Sequence, residues 1–110
     1  MSYDFHLTSY CKACDTTTEH FNSNYTSNTS PMFYKVFPEG IKKLHNKDAD
    51  EAVEILHTFW EYFTINKREL EELNPSNGWG DYESTLKLIG DMYKASFYSP
   101  NEGTVWTVYS

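Results

Sequence analysis

The stretch from Asp48 to Phe63 constrains this chain more than any other. Ala52, Leu56, Phe59 and Phe63 recur at helical spacing, and Val53, Ile55, Trp60 and Tyr62 widen the apolar stripe beyond what a solvent-facing helix carries. A helix of that kind has to be covered on several sides, so the rest of the chain must supply a second layer. Asp48 marks its start: the carboxylate can cap free backbone N–H groups, Glu51 follows three residues later, and acids in the first turn suit the helix dipole.

The covering elements follow from local pattern. Tyr3, Phe5 and Leu7 alternate with Asp4, His6 and Thr8, which predicts a half-buried strand from about residue 2 to 10. Residues 16–26 are β-branched, aromatic or polar without helical period, and predict a second strand folding back across Cys11–Asp15. Asn and Ser/Thr side chains over residues 22–30 compete for backbone hydrogen bonds, so this segment is expected to leave the sheet as a turn-rich connection. Ser30 and Pro31 open a short helix bearing Met32, Phe33, Val36 and Phe37, which Pro38 and Gly40 close. Asn66 begins another short turn through Arg68, Leu70 and Leu73. Asp81 caps a last helix with Tyr82, Leu86, Ile89, Tyr93 and Phe97 on its apolar side. After a turn over residues 99–103, Val105, Trp106, Val108 and Tyr109 return as a strand beside the hairpin. The expectation is an α+β fold: a small antiparallel sheet, N-terminal hairpin plus C-terminal strand, covered on one face by about three helices. With 110 residues there is material for one core and one domain.

Charge narrows the function classes. Nine Lys+Arg against 16 Asp+Glu give a net charge of −7, which opposes any binding mode built on neutralising phosphates, so nucleic acid is an unfavoured partner. Glu69, Glu71 and Glu72 form an acidic run that an ordinary solvated face explains. No apolar run is long enough to cross a bilayer, and the start Met1-Ser2-Tyr3-Asp4 lacks a signal-peptide layout, so a cytoplasmic location is expected.

Cys11 and Cys14 form one C-x-x-C, half of a structural zinc site, with His20 and His6 the nearest nitrogen donors and neither at a telling spacing. Thioredoxin-like chemistry wants the motif at a helix N-terminus, whereas Asp15-Thr16-Thr17-Thr18 favours a turn and a strand. The reading is two reduced thiols at a hairpin tip, no metal and no cofactor; zinc on Cys11, Cys14 and His20 is the alternative.

Two polar segments stand apart from this patterning. Asn24, Thr26 and Asn28 lie in a run of amides and hydroxyls suited to an uncharged polar ligand. In Asn74-Pro75-Ser76-Asn77-Gly78-Trp79-Gly80-Asp81-Tyr82, glycines on both sides of Trp79 permit close backbone approach, and Trp79 and Tyr82 offer flat faces for stacking beside Asp81. The competing account is that the first run satisfies its own turn, Trp79 plugs the core and Asp81 only caps a helix. His45 reads as a solvated loop residue and His57 as a partly buried, hydrogen-bonded one.

These residues also carry a resemblance. Asn24-Tyr25-Thr26-Ser27-Asn28-x-Ser30-Pro31-Met32-Phe33 and Leu73-Asn74-Pro75-x-Asn77-Gly78-Trp79-Gly80-Asp81-Tyr82, with Tyr3-Asp4-x-x-Leu7 before them, look like a family of short uncharacterised proteins of bacteria and their phages. The resemblance supplies no activity and no catalytic residue; it implies a small phage-type protein that binds and inhibits a host defence factor. Put together, the expectation is a non-enzymatic binding protein using Asn24, Thr26, Asn28, Trp79, Asp81 and Tyr82 on a host protein or a nucleotide-like small molecule, with pairing into a homodimer as one way to enlarge the site. Two other classes compete: a small enzyme using Asp81 with His20 or His57, and a zinc-stabilised interaction domain.

Overall fold

The computed structural model describes residues 2–99 and 103–110. Two long strands, β1 (Ser2–Cys11) and β2 (Thr16–Thr26), form the hairpin, and β3 (Thr104–Tyr109) pairs antiparallel to β1, giving the order β2-β1-β3. The sheet alternates cleanly: Tyr3, Phe5 and Leu7 point inward with Trp106 and Val108, while Asp4 is exposed and His6 half-exposed on the open face. The expected α+β arrangement is the one observed. Part of the turn expected over 99–103 falls on residues 100–102, outside the described residues.

The helices are α1 (Ser30–Tyr34), α2 (Ala49–Ile65), α3 (Lys67–Glu71) and α4 (Tyr82–Tyr98), with 3₁₀ turns at Ser27–Thr29 and Gly40–Leu44. Asp48 caps α2 by accepting from the Glu51 N–H at 2.8 Å. Phe59 and Phe63 of α2, Phe33 and Met32 of α1, and Ile89 and Met92 of α4 close over Phe5, Leu7 and Trp106 in one apolar cluster. Each such side chain contributes roughly 1.5–3 kcal/mol of burial. Trp106 keeps its polar atom satisfied inside: its Nε1–H donates to Ser96 Oγ at 2.8 Å, and that hydroxyl donates on to the Met92 carbonyl at 2.9 Å.

Local readings fail in three places. Residues 22–26 stay in β2, because pairing with Ser2–His6 satisfies backbone groups that the amides would otherwise have bonded. The first helix stops at Tyr34, well short of Phe37, and Ser30 lies inside it after an N-cap at Thr29, with Gly40 starting the next turn rather than ending a helix. His45 is half-buried: its Nδ1 accepts from the Val108 N–H at 3.0 Å. Together with Asn46 N–H to the Trp106 carbonyl and Trp106 N–H to the Lys47 carbonyl, both at 2.9 Å, it seals the outer edge of β3.

The far end of the hairpin is an arm, exposed from Tyr10 to Glu19. Its register shifts by one residue between Leu7 and Thr8, leaving His20 unmatched in β2 as a bulge, with its Nε2 2.8 Å from Ser9 Oγ. At the tip Cys11 and Cys14 are joined as a disulfide, which corrects the expectation of two reduced thiols. Asp15 takes the left-handed conformation, φ 50°, in the turn that leads from Cys14 into β2. Those sulfurs are engaged with each other and His20 with Ser9, and no cluster of three or more His, Cys, Asp or Glu suited to a metal occurs among the described residues.

Candidate functional site

Both polar segments meet at one end of the sheet. The chain leaves β2 at Thr26, whose Oγ1 accepts from the Asn28 N–H at 3.2 Å and so shapes the 3₁₀ turn that follows. The loop before α4 comes against this corner with almost no clearance. A Cβ at Gly80 would lie 2.6 Å from Thr26 Cγ2 and 3.1 Å from both Thr29 Cγ2 and Tyr25 Oη, and Gly80 has a φ of +84°. Only glycine satisfies both demands.

Hydrogen bonds hold the two segments in register. The Tyr25 hydroxyl lies 2.7 Å from Ser84 Oγ and 2.8 Å from Thr85 Oγ1, bridging the end of β2 to the first turn of α4. Asn74 Oδ1 accepts from the Tyr82 N–H at 2.8 Å, and Asn77 Oδ1 from the Trp79 N–H at 3.0 Å. Between these ties stands Trp79, 70% exposed.

The result is a recess of about 550 Å³ lined by Ser2, Asn24, Tyr25, Thr26, Asn28, Trp79 and Gly80. Four of the six residues singled out from the sequence therefore share it. Asn24 donates through Nδ2 to Asp4 Oδ1 at 2.7 Å and to Ser2 Oγ at 3.1 Å, so its amide group is fixed from behind. Asn24, Asn28 and Trp79 are the exposed side chains of the recess, and of its two amides Asn28 is the one whose side chain makes no hydrogen bond among the described residues.

Asp81 and Tyr82 do other work. Asp81 caps α4: its carboxylate accepts from the Ser84 N–H at 2.8 Å, and the Ser84 hydroxyl accepts from the Asp81 N–H in return. Hydrogen bonds that the carboxylate accepts from Ser84, from its backbone N–H first and then from its side chain, hold the Asp81 pKa below the usual 3.8. Tyr82 turns into the core, only 2% exposed, stacks on Phe63 and donates its hydroxyl to the Phe63 carbonyl at 2.7 Å. Its expected role as a stacking surface is corrected: the first residue of α4 faces inward, and burial, with Glu83 and Glu71 nearby, raises its phenol pKa and keeps it a donor. Neither histidine considered as a base reaches Asp81. His20 bonds Ser9, and His57 Nε2 lies 3.7 Å from Glu61 Oε1.

A second depression was not foreseen. Between α2 and α4, His57, Trp60, Gly90, Tyr93, Lys94, Phe97 and Tyr98 line an apolar groove of about 480 Å³. His57 is exposed there rather than packed between ridges, because the α2 stripe that meets the sheet runs through Ala52, Leu56, Phe59 and Phe63 and leaves Trp60 on its shoulder. The signal that could have found this groove is the surplus width of that stripe. No helix of the described residues is long and apolar enough to cross a membrane. No protein family, curated protein or solved structure compared with the chain matches it.

Proposed function

We propose that this is a non-enzymatic binding protein that captures a protein partner through the recess at Trp79. One observation carries the reading: a loop tied down by Gly80, Asn74 and Asn77 holds an indole in solvent, where it gains nothing for the fold. An exposed tryptophan on a rigid backbone suits recognition, because little side-chain or loop entropy is lost when a partner covers it. Asn28 and the ring of Trp79 would fix orientation and supply buried area, with Tyr25 and Thr26 as the floor.

The chemistry of the rim favours a protein over a nucleotide-like ligand. No lysine or arginine lines the recess, and Asp4 stands behind Asn24. Of the lysines that might have met a phosphate, Lys35 is turned to Glu69 at 3.5 Å and Lys43 to Glu39 at 3.2 Å. In the terms of the resemblance, the partner is a host defence factor and its capture is inhibition without turnover.

The test is affinity capture with the wild-type protein and with Trp79→Ala, read by mass spectrometry of proteins and of co-purified small molecules. A partner retained by the wild type should bind roughly 30-fold more weakly to Trp79→Ala, the loss of about 2 kcal/mol typical of a central aromatic anchor, with unchanged melting. Equal binding by the two proteins would remove Trp79 from the interface. A small molecule on the wild type alone would move the reading to the nucleotide-like class.

A further inference from the structure

We propose that the groove between α2 and α4 is a homodimer interface, in which α2 of one copy lies over α4 of a second. The groove shares no lining residue with the Trp79 recess. It collects a set of aromatic groups that the core leaves outside: Trp60 is 40% exposed, Phe97 59% and Tyr98 80%. Gly90 makes the groove what it is. A Cβ there would sit 3.1 Å from Trp60 Cζ3, so its absence lets the edge of the indole approach α4 closely.

Charge decides which partner fits. The α2 helix carries Asp50, Glu51, Glu54 and Glu61 and no lysine or arginine, whereas Lys94 of α4 lines the groove. Among the described residues Lys94, Asp50 and Glu54 have no ion-pair partner. The α4 helix as a whole is neutral, Glu83 and Asp91 against Lys87 and Lys94, so the face is apolar along its middle, acidic on the α2 side and bears an unpaired lysine on the other, which suits its own copy under a two-fold rotation. Two rotations bring such faces together. An axis across the helices stacks α2 on α2 and opposes acid to acid, while an axis along them lays α2 on α4 and opposes Lys94 to acid. The charge pattern selects the second.

The same construction fixes the register. In each copy Phe97 lies beside Val53 and Glu54, and Gly90 lies beside Trp60, so Lys94 stands at a level between them with Glu54 the nearest acid of α2. An axis along the helices preserves that level and sets Lys94 over the His57 turn of the second copy, with Glu54 the nearest acid, on both sides of the interface. Phe97 then lies over the Val53–Glu54 turn of the second copy's α2, and Trp60 over its Gly90. Each helix has 17 residues, about 25 Å of length. A two-helix face is therefore about 500 Å² in outline, below the roughly 800 Å² per partner of a standard stable interface. The dimer it supports dissociates on dilution.

Sedimentation velocity on the whole protein, from micromolar to near-millimolar concentration, tests this. The wild type should pass from monomer to dimer, and Phe97→Glu should raise the dissociation constant at least about tenfold while melting normally. If that variant fails to fold, Tyr98→Glu, at the more exposed ring, takes its place. Lys94→Glu and Glu54→Lys should each weaken association about tenfold, and the two together should recover it. Trp79→Ala should leave the dimer intact, so loss of recess binding and loss of dimerisation are read separately. A monomer at every concentration, a dimer indifferent to Phe97→Glu and Tyr98→Glu, or charge reversals that do not rescue each other would overturn the assignment.

Discussion

Trp79 and Trp60 are both exposed indoles, yet their surroundings have little in common. The first stands on a loop whose position depends on a handful of atoms: the missing Cβ of Gly80, two asparagine oxygens and the Tyr25 hydroxyl. The second lies on the shoulder of a 17-residue helix whose other faces are fixed by the core, with Gly90 beneath it. A surface built on loops is shaped by hydrogen bonds and steric exclusion, so one substitution can abolish it. A surface built on helices is shaped by spacing and changes only by degrees. The recess is accordingly the more polar of the two surfaces, and the groove the more apolar.

The contrast is broken most severely at Gly80. Gly80→Ala combines a strained backbone with a contact no real Cβ makes, and should cost about 2 kcal/mol or more, measured by denaturant unfolding. Trp79 should become mobile in its fluorescence anisotropy while the groove is unaffected; a normal melting curve with a rigid indole would mean that the loop is not latched as described. Tyr82→Phe comes next. Removing the hydroxyl leaves the Phe63 carbonyl without its buried donor and should cost about 1 kcal/mol, with the recess intact.

Acid offers a gentler probe. Because the folded-state pKa of Asp81 lies below its unfolded value, the stability it lends is fully present above about pH 4 and is lost as pH falls through the lowered value. Asp81→Asn should flatten that part of the acid-unfolding curve and leave the slope between pH 5 and 7 unchanged. Glu39, lowered by its hydrogen bond to Lys43, titrates in the same sense and would remain as the residual slope in that variant.

Much of this architecture was readable because local and long-range demands agree. The alternation of Tyr3, Phe5 and Leu7 predicts the strand that forms, and the acids at 48 and 81 cap the helices they precede. Reading fails where packing decides. Tyr82 and Trp79 look equally suited to a surface from their loop, and only the phase of α4 against Phe63 sends one inward. Helical spacing makes His57 look partly buried and puts Phe97 on an apolar stripe, because it gives the faces of a helix but not how many of them the remaining chain can cover. For the recess, glycines flanking a tryptophan mark the place, while the presence of Ser2 and Tyr25 in its lining depends on strand register that spacing does not specify.

The latch at Gly80 separates two jobs that most loops mix. Steric exclusion at position 80 sets where the loop lies; position 79 takes no part in that and contributes only what it displays. On the function proposed above, recognition can then be re-addressed by exchanging a single side chain, with foldability left where it was, and a library varied at residues 28 and 79 over a constant glycine would sample new partners on one unchanging frame.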